Sequence, residues 1–515
     1  MYRYFFLILS ITVIFPLQLH SQKHDYNWIG GRHDGTLKGN ELIGYTFVNF
    51  SDTLKTTFTP LKYLNSDINL NGYSCTFHSN YNGELLWYSN GIHIYNNLHN
   101  IMLNGDSINY TTNPYIYNTW NISESINRGY SSTIFQSVPI VSSNSNLSIL
   151  LHSLNITPDG PIVNYNLQYS LINMSENNGE GYVLLKNKSI LQDTLNATGF
   201  IRHANGKDWW YLTSYLLRSE WQTYFIDSNG IQTAMQFDFG FPHYELEINN
   251  YLGISPDGTK LVRIYIPTYN SIENACYMAF YHFNRCTGII SPYKVEKIDP
   301  QIFCGITPVI SKNNRFLYFV SDRSLIYQCD LEATDIIASC QKITINDRKW
   351  SPFPTGFNTM SSGPDGRIYI VDGSSNNVMT VINRPNLPGT ACDVYQDLFL
   401  KYEYFTGLPK NPNYRLKALP DGDNCITKFY TSGPAGVTVK TAPQGGWRMY
   451  TDKAQVLPDG PLTFVLIEQD GVTVHCTKTF LKNQFSLSLI DCDPLPGMEW
   501  YLYQDFATFA RGIIE

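Results

Sequence analysis

One short phrase recurs along this chain and limits what the chain can fold into: a tight polar turn followed at once by an aromatic or β-branched strand. Its fullest copy is Ala204-Asn205-Gly206-Lys207-Asp208-Trp209-Trp210-Tyr211-Leu212-Thr213. Asn-Gly supplies the left-handed backbone that a short hairpin connection needs. The residues after it suit a pleated, half-buried surface. The phrase returns as Asn82-Gly83 before Leu85–Ser89, Ser145-Asn146 before Ile149–Ser153, and Asp257-Gly258 before Leu261–Tyr265. Two more copies are Asn313-Asn314 before Phe316–Ser321 and Asp365-Gly366 before Ile368–Val371.

The turn positions Gly83, Asn146, Gly206, Gly258, Asn314 and Gly366 are 63, 60, 52, 56 and 52 residues apart, a mean near 57. Each period has room for further strands. Residues 302–345 show the pattern best: Ile302–Ile306, the turn, Phe316–Ser321, Leu325–Cys329 and Gln341–Ile345. Four antiparallel strands repeated at this length are the signature of a β-propeller blade. Over residues 25–419 the period predicts seven blades, with six as the alternative. Because six turns are visible, the seventh blade is expected to be composite: strands near Leu42–Phe50 would complete a sheet begun near Tyr402–Leu416, removing the ring's last exposed edges.

Composition agrees with an all-β exported chain. Aromatics make up 14% of the 515 residues, charged residues only 15%, and the net charge is −7. Nothing basic enough for nucleic acid stands out, and no lysine-rich run suits a membrane surface. Residues 1–21 read as a secretory signal peptide: Arg3 is the positive start, Tyr4–Phe15 the apolar run, and cleavage falls near Ser21-Gln22. The apolar run is too short for a membrane span, and no transmembrane segment is expected elsewhere.

Export permits the ten cysteines to pair. Cys476 and Cys492 lie symmetrically about the turn at Lys482-Asn483-Gln484. Cys329 and Cys340 lie in the same way about Glu332–Asp335. Both pairs are therefore disulfide candidates. Cys276 and Cys286 share one extended run and are too far apart along it to bond each other.

After Leu419 the stretch Pro420-Asp421-Gly422-Asp423-Asn424 reads as a linker. It offers calcium-type oxygens without the loop length or closing Glu of a calcium loop. Residues 425–515 then form a small all-β unit, read as an immunoglobulin-like β-sandwich. Its alternating strands include Leu462–Ile467, Val472–His475, Gln484–Leu489 and Trp500–Tyr503.

A further set of residues carries a family resemblance. Leu167–Met174 leads to Asn177-Asn178-Gly179-Glu180-Gly181, then to Arg202–Trp210, Ser255–Leu261 and Phe283–Gly288. The series ends with Gly407-Leu408-Pro409 and Pro412-Asn413-Tyr414-Arg415-Leu416. It resembles exported β-propeller proteins of the Bacteroidota, whose usual companion is a C-terminal sorting domain of the type IX secretion system. The ending Ala510-Arg511-Gly512-Ile513-Ile514-Glu515 is similar to the terminus of such a domain. The Tyr-Pro-Asn-Pro segment expected near its start is replaced by Thr441-Ala442-Pro443-Gln444, which leaves a plain immunoglobulin-like module as the alternative. The resemblance implies the type IX machinery as a partner and a secreted or cell-surface location reached through the periplasm. It implies no activity.

Catalytic wording is sparse. His-Glu-x-x-His, Gly-x-Ser-x-Gly and phosphate-cradling glycine loops do not occur. The 11 histidines are scattered, and neither a metal nor an organic cofactor is expected. Arg202 and His203 beside Trp209 and Trp210 could hold a sugar. Alternation along one strand equally lets both Trp side chains pack between neighbouring blades. The function this wording favours is a non-catalytic propeller that binds a glycan or protein at its central face. A polysaccharide hydrolase or lyase and a structural surface-layer or adhesin component are the alternatives.

Overall fold

The computed structural model describes residues 22–513 apart from connecting stretches, the longest being 33–43, 112–133, 239–251, 266–275 and 426–436. Among the described residues the chain is all-β, with two short 3-10 turns and no helix long and apolar enough to cross a membrane. The signal segment 1–21 lies outside the described residues.

The first sheet holds β1 (Asn27–Arg32), β2 (Gly44–Asn49), β3 (Thr57–Leu61) and β4 (Asn69–Leu70), in the order β3-β2-β1-β4. The second is a meander of β5 (Thr76–Ser79), β6 (Leu85–Ser89) and β7 (Ile94–Asn96). Next come β8 (Phe135–Pro139), β9 (Leu147–Ile156), β10 (Val163–Asn173), β11 (Tyr182–Arg202), β12 (Trp209–Tyr215), β13 (Glu220–Asp227) and β14 (Gly230–Asp238), hydrogen-bonded in chain order. This continuous sheet is two meanders joined by one strand. The first part of β11 pairs with β10 and its last residues, Thr198–Arg202, pair with β12.

Three four-stranded meanders follow. They are β15 (Leu252–Ile254) to β16 (Lys260–Tyr265), β17 (Cys276–Phe283) and β18 (Ile290–Ile298); β19 (Gly305–Ile310) to β20 (Phe316–Ser321), β21 (Leu325–Asp330) and β22 (Gln341–Ile345); and β23 (Thr359–Ser362) to β24 (Ile368–Val371), β25 (Val378–Ile382) and β26 (Val394–Phe399). Of the strands expected within 302–345, Phe316–Ser321, Leu325–Cys329 and Gln341–Ile345 form within β20 to β22; the first is described as Gly305–Ile310, and 302–304 of its expected span lie outside the described residues.

The repeated turn joins the first and second strands of these units in the same way each time. The backbone N–H of His203, Ser255 and Ser311 donates to the carbonyl five residues on, and Gly363 N–H to the one four residues on. The turn residues Gly206, Gly258, Asn314 and Gly366 each donate back to the residue three before. All four have positive φ, between 61° and 84°. Glycine takes that conformation without strain, and asparagine tolerates it.

Successive sheets are joined by apolar clusters. Trp87 and Ile94 of the second sheet meet Phe135, Leu150 and Ile172. Trp209 and Tyr211 pack on Val138 and Ile149, whereas Trp210 and Trp221 pack on Leu261 and Tyr281. Phe280 meets Phe319, and Tyr318 meets Ile370. Trp28 and Tyr45 of the first sheet share one cluster with Tyr369 and Met379 on one side and Phe77 and Tyr88 on the other. The sheets therefore form a closed, propeller-like ring with the N-terminal sheet between the last and the second.

The composite sheet expected at the closure is not what forms. β1 pairs with β2 and β4. The described residues of Tyr402–Leu416 enter no strand. Closure is by side-chain packing: a Cβ on Gly30 would collide with the Tyr404 ring at 2.4 Å. The aromatic occupies the space that a ladder would otherwise have filled.

Beyond the ring, β27 (Val437–Thr441), β28 (Trp447–Thr451) and β31 (Ser486–Ser488) form one sheet. β29 (Pro461–Ile467), β30 (Val474–Leu481), β32 (Glu499–Gln504) and β33 (Ala507–Ile513) form another, in the order β30-β29-β32-β33. Phe464, Leu466, Met498 and Trp500 are buried there.

Cys329 and Cys340 are disulfide-bonded with Cα atoms 4.0 Å apart. Their neighbours Gln328 and Gln341 are cross-strand partners, which brings the pair face to face. A second bond, Cys286–Cys425, joins the turn after β17 to the start of the C-terminal region, 139 residues away. Cys476 is also disulfide-bonded. Its expected partner, position 492, lies outside the described residues. Cys75 and Cys392 are buried thiols outside any disulfide.

Candidate functional site: the central cavity and its strap

The inner strands β11, β15, β19 and β23 crowd around the ring axis, and small residues make that possible. A Cβ on Gly199 would lie 2.4 Å from Ile254, and one on Gly253 would lie 3.1 Å from Pro308. Between these strands is a cavity of about 540 Å³. Its wall runs along Thr198–Arg202, Leu252–Gly258, Thr307–Lys312 and Met360–Pro364, with Gln136 of β8 contributing.

Residues 407–419 leave the last meander and cross the ring as a strap, of which 410–413, 415 and 416 line the cavity, with Asp25 and Pro385 also in the wall. Pro409 and Pro412 carry no N–H, so the strap is held largely through its carbonyls. Ser361 Oγ donates to Pro409 O at 2.8 Å and Gln136 Nε2 to Lys410 O at 2.8 Å. Arg202 Nη1 donates to Tyr414 O at 2.6 Å and Arg285 Nη2 to Lys417 O at 2.7 Å. In return Asn413 Nδ2 donates to Pro256 O at 2.6 Å, and the Tyr414 hydroxyl to Ser137 O at 2.6 Å. Arg415 forms a bidentate pair with Asp25, both contacts at 2.7 Å. One irregular segment thus ties together elements from four sheets or their flanks, and Cys425 pins its far end to Cys286.

The four residues singled out in the sequence are separated by this geometry. Arg202 is a wall residue. It stacks over Trp209 with its guanidinium carbon 5.1 Å from the ring centroid. Its Nε and Nη2 have no hydrogen-bond partner among the described residues. His203 is buried to the side, where its ring meets Cys286 O and the Asn205 N–H. Trp209 and Trp210 are 1% and 0% exposed, on opposite faces of β12 and in different inter-sheet clusters, so neither presents a platform for a sugar. Their indoles donate to Pro139 O and Arg285 O.

Sequence reasoning missed Lys410, Gln136 and Asn411. These lie in or against the strap, which has no periodic pattern to flag it.

The wall holds four basic side chains, Arg202, Lys312, Lys410 and Arg415, against two acidic ones, Asp25 and Asp257. Asp25 is matched by Arg415. Asp257 accepts from the Ser255 hydroxyl and from the Thr259 hydroxyl and N–H of its own turn. Burial lowers Lys410 from the usual lysine value to about 7. It also lowers Arg202 to about 10, with Arg285 adding repulsion and Asp208 opposing it. Outside the wall, burial drives His24 beneath the strap down to about 4. Among the described residues no cluster of His, Cys, Asp and Glu is arranged to hold a metal.

Comparison with known proteins finds no matching family and no matching curated protein. Among solved structures, a putative 6-phosphogluconolactonase from Bacteroides uniformis is similar at 9% identity and TM-score 0.36, over 68% of this chain and 90% of that one. One from Bacteroides fragilis is similar at 10% and 0.37, over 74% and 97%. An oligogalacturonate lyase in complex with manganese is similar at 13% and 0.27, over 51% and 71%. Likeness at this level carries no argument about activity or ligand.

Proposed function

We propose that this chain is an exported, seven-bladed propeller that binds a small ligand, a glycan unit, in its central cavity without transforming it. The seven-blade count rests on the apolar clusters: the first sheet, the second, the two meanders joined by β11, and the three that follow make seven units in one closed circuit. The C-terminal pair of sheets is read as an immunoglobulin-like sandwich serving as the type IX sorting domain, supported by the resemblance of its ending.

The observation that carries the binding reading is the cavity itself. Its volume is in the range of small-molecule sites, and its wall is aliphatic and backbone-lined with a few amide and cationic groups. Both wall carboxylates already have partners within the fold, unlike a pair of acids poised for glycosidic chemistry.

The test is a thermal-shift screen of mono- and oligosaccharides on the full mature protein and on Ser362→Trp. Ser362 lines the cavity and is exposed, so an indole there fills space without removing a core contact. Sugars that raise the melting temperature of the wild type should fail to do so in the variant. Stabilisation that persists in Ser362→Trp, or a panel without any binder, would overturn the reading. Product appearing during incubation would favour the hydrolase or lyase alternative.

A further inference from the structure

We propose that the mouth of the central cavity is a docking surface for an acidic polysaccharide, one unit of which enters the cavity while its neighbours lie across a rim of exposed cations. This deepens the reading of the cavity as a glycan site and rests on it.

The repeat itself builds the rim. The turns at Gly258, Asn314 and Gly366 all border the cavity. Each has a basic residue within two positions: Lys260, Lys312 and Arg367. The Asp257 N–H donates to Asn314 Oδ1 at 3.0 Å, so the first two turns touch. The Lys312 side chain lies over the third, its Cδ 3.2 Å from where a Cβ on Gly366 would stand. The strap adds Lys417, whose neighbours Leu416 and Ala418 pack on Gly258 and Gly206.

The acids of the same turns point the other way. Asp257 accepts from the hydroxyls of Ser255 and Thr259. Asp365 accepts from the hydroxyls of Thr56 and Tyr369, and its side chain is 4% exposed. Holding the turns keeps these carboxylates inward, whereas Lys312 and Lys417 are exposed and Lys260 and Arg367 partly so. Arg367 comes no closer than 3.9 Å to Asp365. Arg315 is not counted in the rim, because Asp330 holds it.

The chain as a whole carries −7, so a cationic mouth is a local excess against the sign of the molecule. Charge of one sign around a cleft concentrates ligands of the other. These cations do not converge on a point. They are spread over three turns and the strap, which suits the repeated charges of a polymer better than one small anion. Nucleic acid fits the mouth less well. Its bases need aromatic faces to stack on, and Trp209 and Trp210 are 1% and 0% exposed.

The test is binding of the full mature protein to alginate, dextran sulfate, neutral dextran and a single-stranded DNA oligonucleotide, at about 0.05 and 0.5 M salt. The first two carry the same sign on carboxylates and on sulfates, and the tighter identifies the source of the charge. Wild-type protein should bind at least one of them at low salt, lose about tenfold or more at high salt, and bind dextran more weakly. Lys312→Glu with Lys417→Glu should lose about tenfold, since several exposed charge contacts are removed or reversed together. Lys312→Gln with Lys417→Gln should lose less. Lys188→Glu with Lys342→Glu makes the same change in net charge away from the mouth, on β11 and the outermost strand β22, and should stay within about twofold of wild type.

Equal losses in the rim and control pairs would show that net charge, not the rim, governs binding. Dextran bound as tightly as the acidic polymers, or neither acidic polymer bound at low salt, would overturn the proposal. DNA bound more tightly than both would overturn the choice of a polysaccharide. Ser362→Trp separates this proposal from the reading beneath it: loss of polymer binding there supports both, whereas binding that is weakened by the rim pair and untouched by Ser362→Trp would overturn entry of a unit into the cavity and leave the rim standing.

Discussion

Single residues in this ring answer to two neighbours at once, and the histidines show the consequence. His24 stacks on His78 at 5.0 Å and lies 5.2 Å from the Tyr414 ring. His152 is held between Asn109 and Ser170 at 2.6 and 3.0 Å. Burial lowers His24 to about 4 and His152 to about 3, and lowers His78 in the same direction. The unfolded chain therefore binds protons near the ordinary value of 6.5, while the folded chain does not. Stability is full above that value and is lost as pH falls toward 4 and below. For His24 alone the loss is roughly 3 kcal/mol. Urea midpoints at pH 7 and pH 4.5 should show a marked fall for the wild type and a smaller one for His24→Gln. Equal slopes would mean that the histidine beneath the strap is not the group responsible. At this scale the sequence was legible where alternation rules: Trp209 and Trp210 had to face opposite ways along one strand, and they enter two different clusters. It named Arg202 only together with His203 and the two Trp residues and could not tell which of the four would reach the cavity, since nothing local distinguishes a cavity arginine from one that caps a turn.

Elements were legible in proportion to their local signals. The turns at Gly206, Gly258, Asn314 and Gly366 could be read because positive φ demands particular residues. Cys329–Cys340 could be read because a hairpin makes its partners symmetric. Cys286–Cys425 could not, because its partners are joined by no turn and meet only after the ring has closed. The strap was likewise hidden: Leu408–Leu416 has neither a helical nor a strand period, and what fixes it is side chains from distant sheets reaching its carbonyls. The two disulfides should differ in effect. By loop-closure entropy an 11-residue loop is worth about 3 kcal/mol and a 139-residue loop about 5 kcal/mol. Replacing Cys286 and Cys425 together by Ser should therefore lower the melting temperature more than replacing Cys329 and Cys340. It should also speed proteolytic cleavage between the strap and the C-terminal unit. Equal effects on stability would show that loop closure is not what the longer bond contributes.

At the scale of the molecule, the ring and the C-terminal pair of sheets differ in how they depend on the chain's ends. The ring closes through Trp28, Tyr45 and Tyr369, deep in a shared cluster, and the strap and Cys425 complete it. None of these contacts involves the last strand. Among the described residues β33 lies at the edge of its sheet and pairs with β32, from Glu499↔Ile513 to Gln504↔Ala507, while also touching β27 and, in the ring, β14. Deleting residues 509–515 would remove most of that strand and bare the edge of β32, which damages the C-terminal sheet and leaves the circuit of inter-sheet clusters intact. Under the sorting proposal the address is the folded C-terminal unit with its last strand. The truncated protein should then accumulate in the periplasm, with a ring that keeps Cys286–Cys425, Cys329–Cys340 and its protease resistance. Fractionation of cells expressing each form, with immunodetection of the ring, measures this directly. If the truncated protein reached the surface or medium at the normal level, the last strand would not be part of an export address, and the C-terminal unit would be a structural domain of the ring.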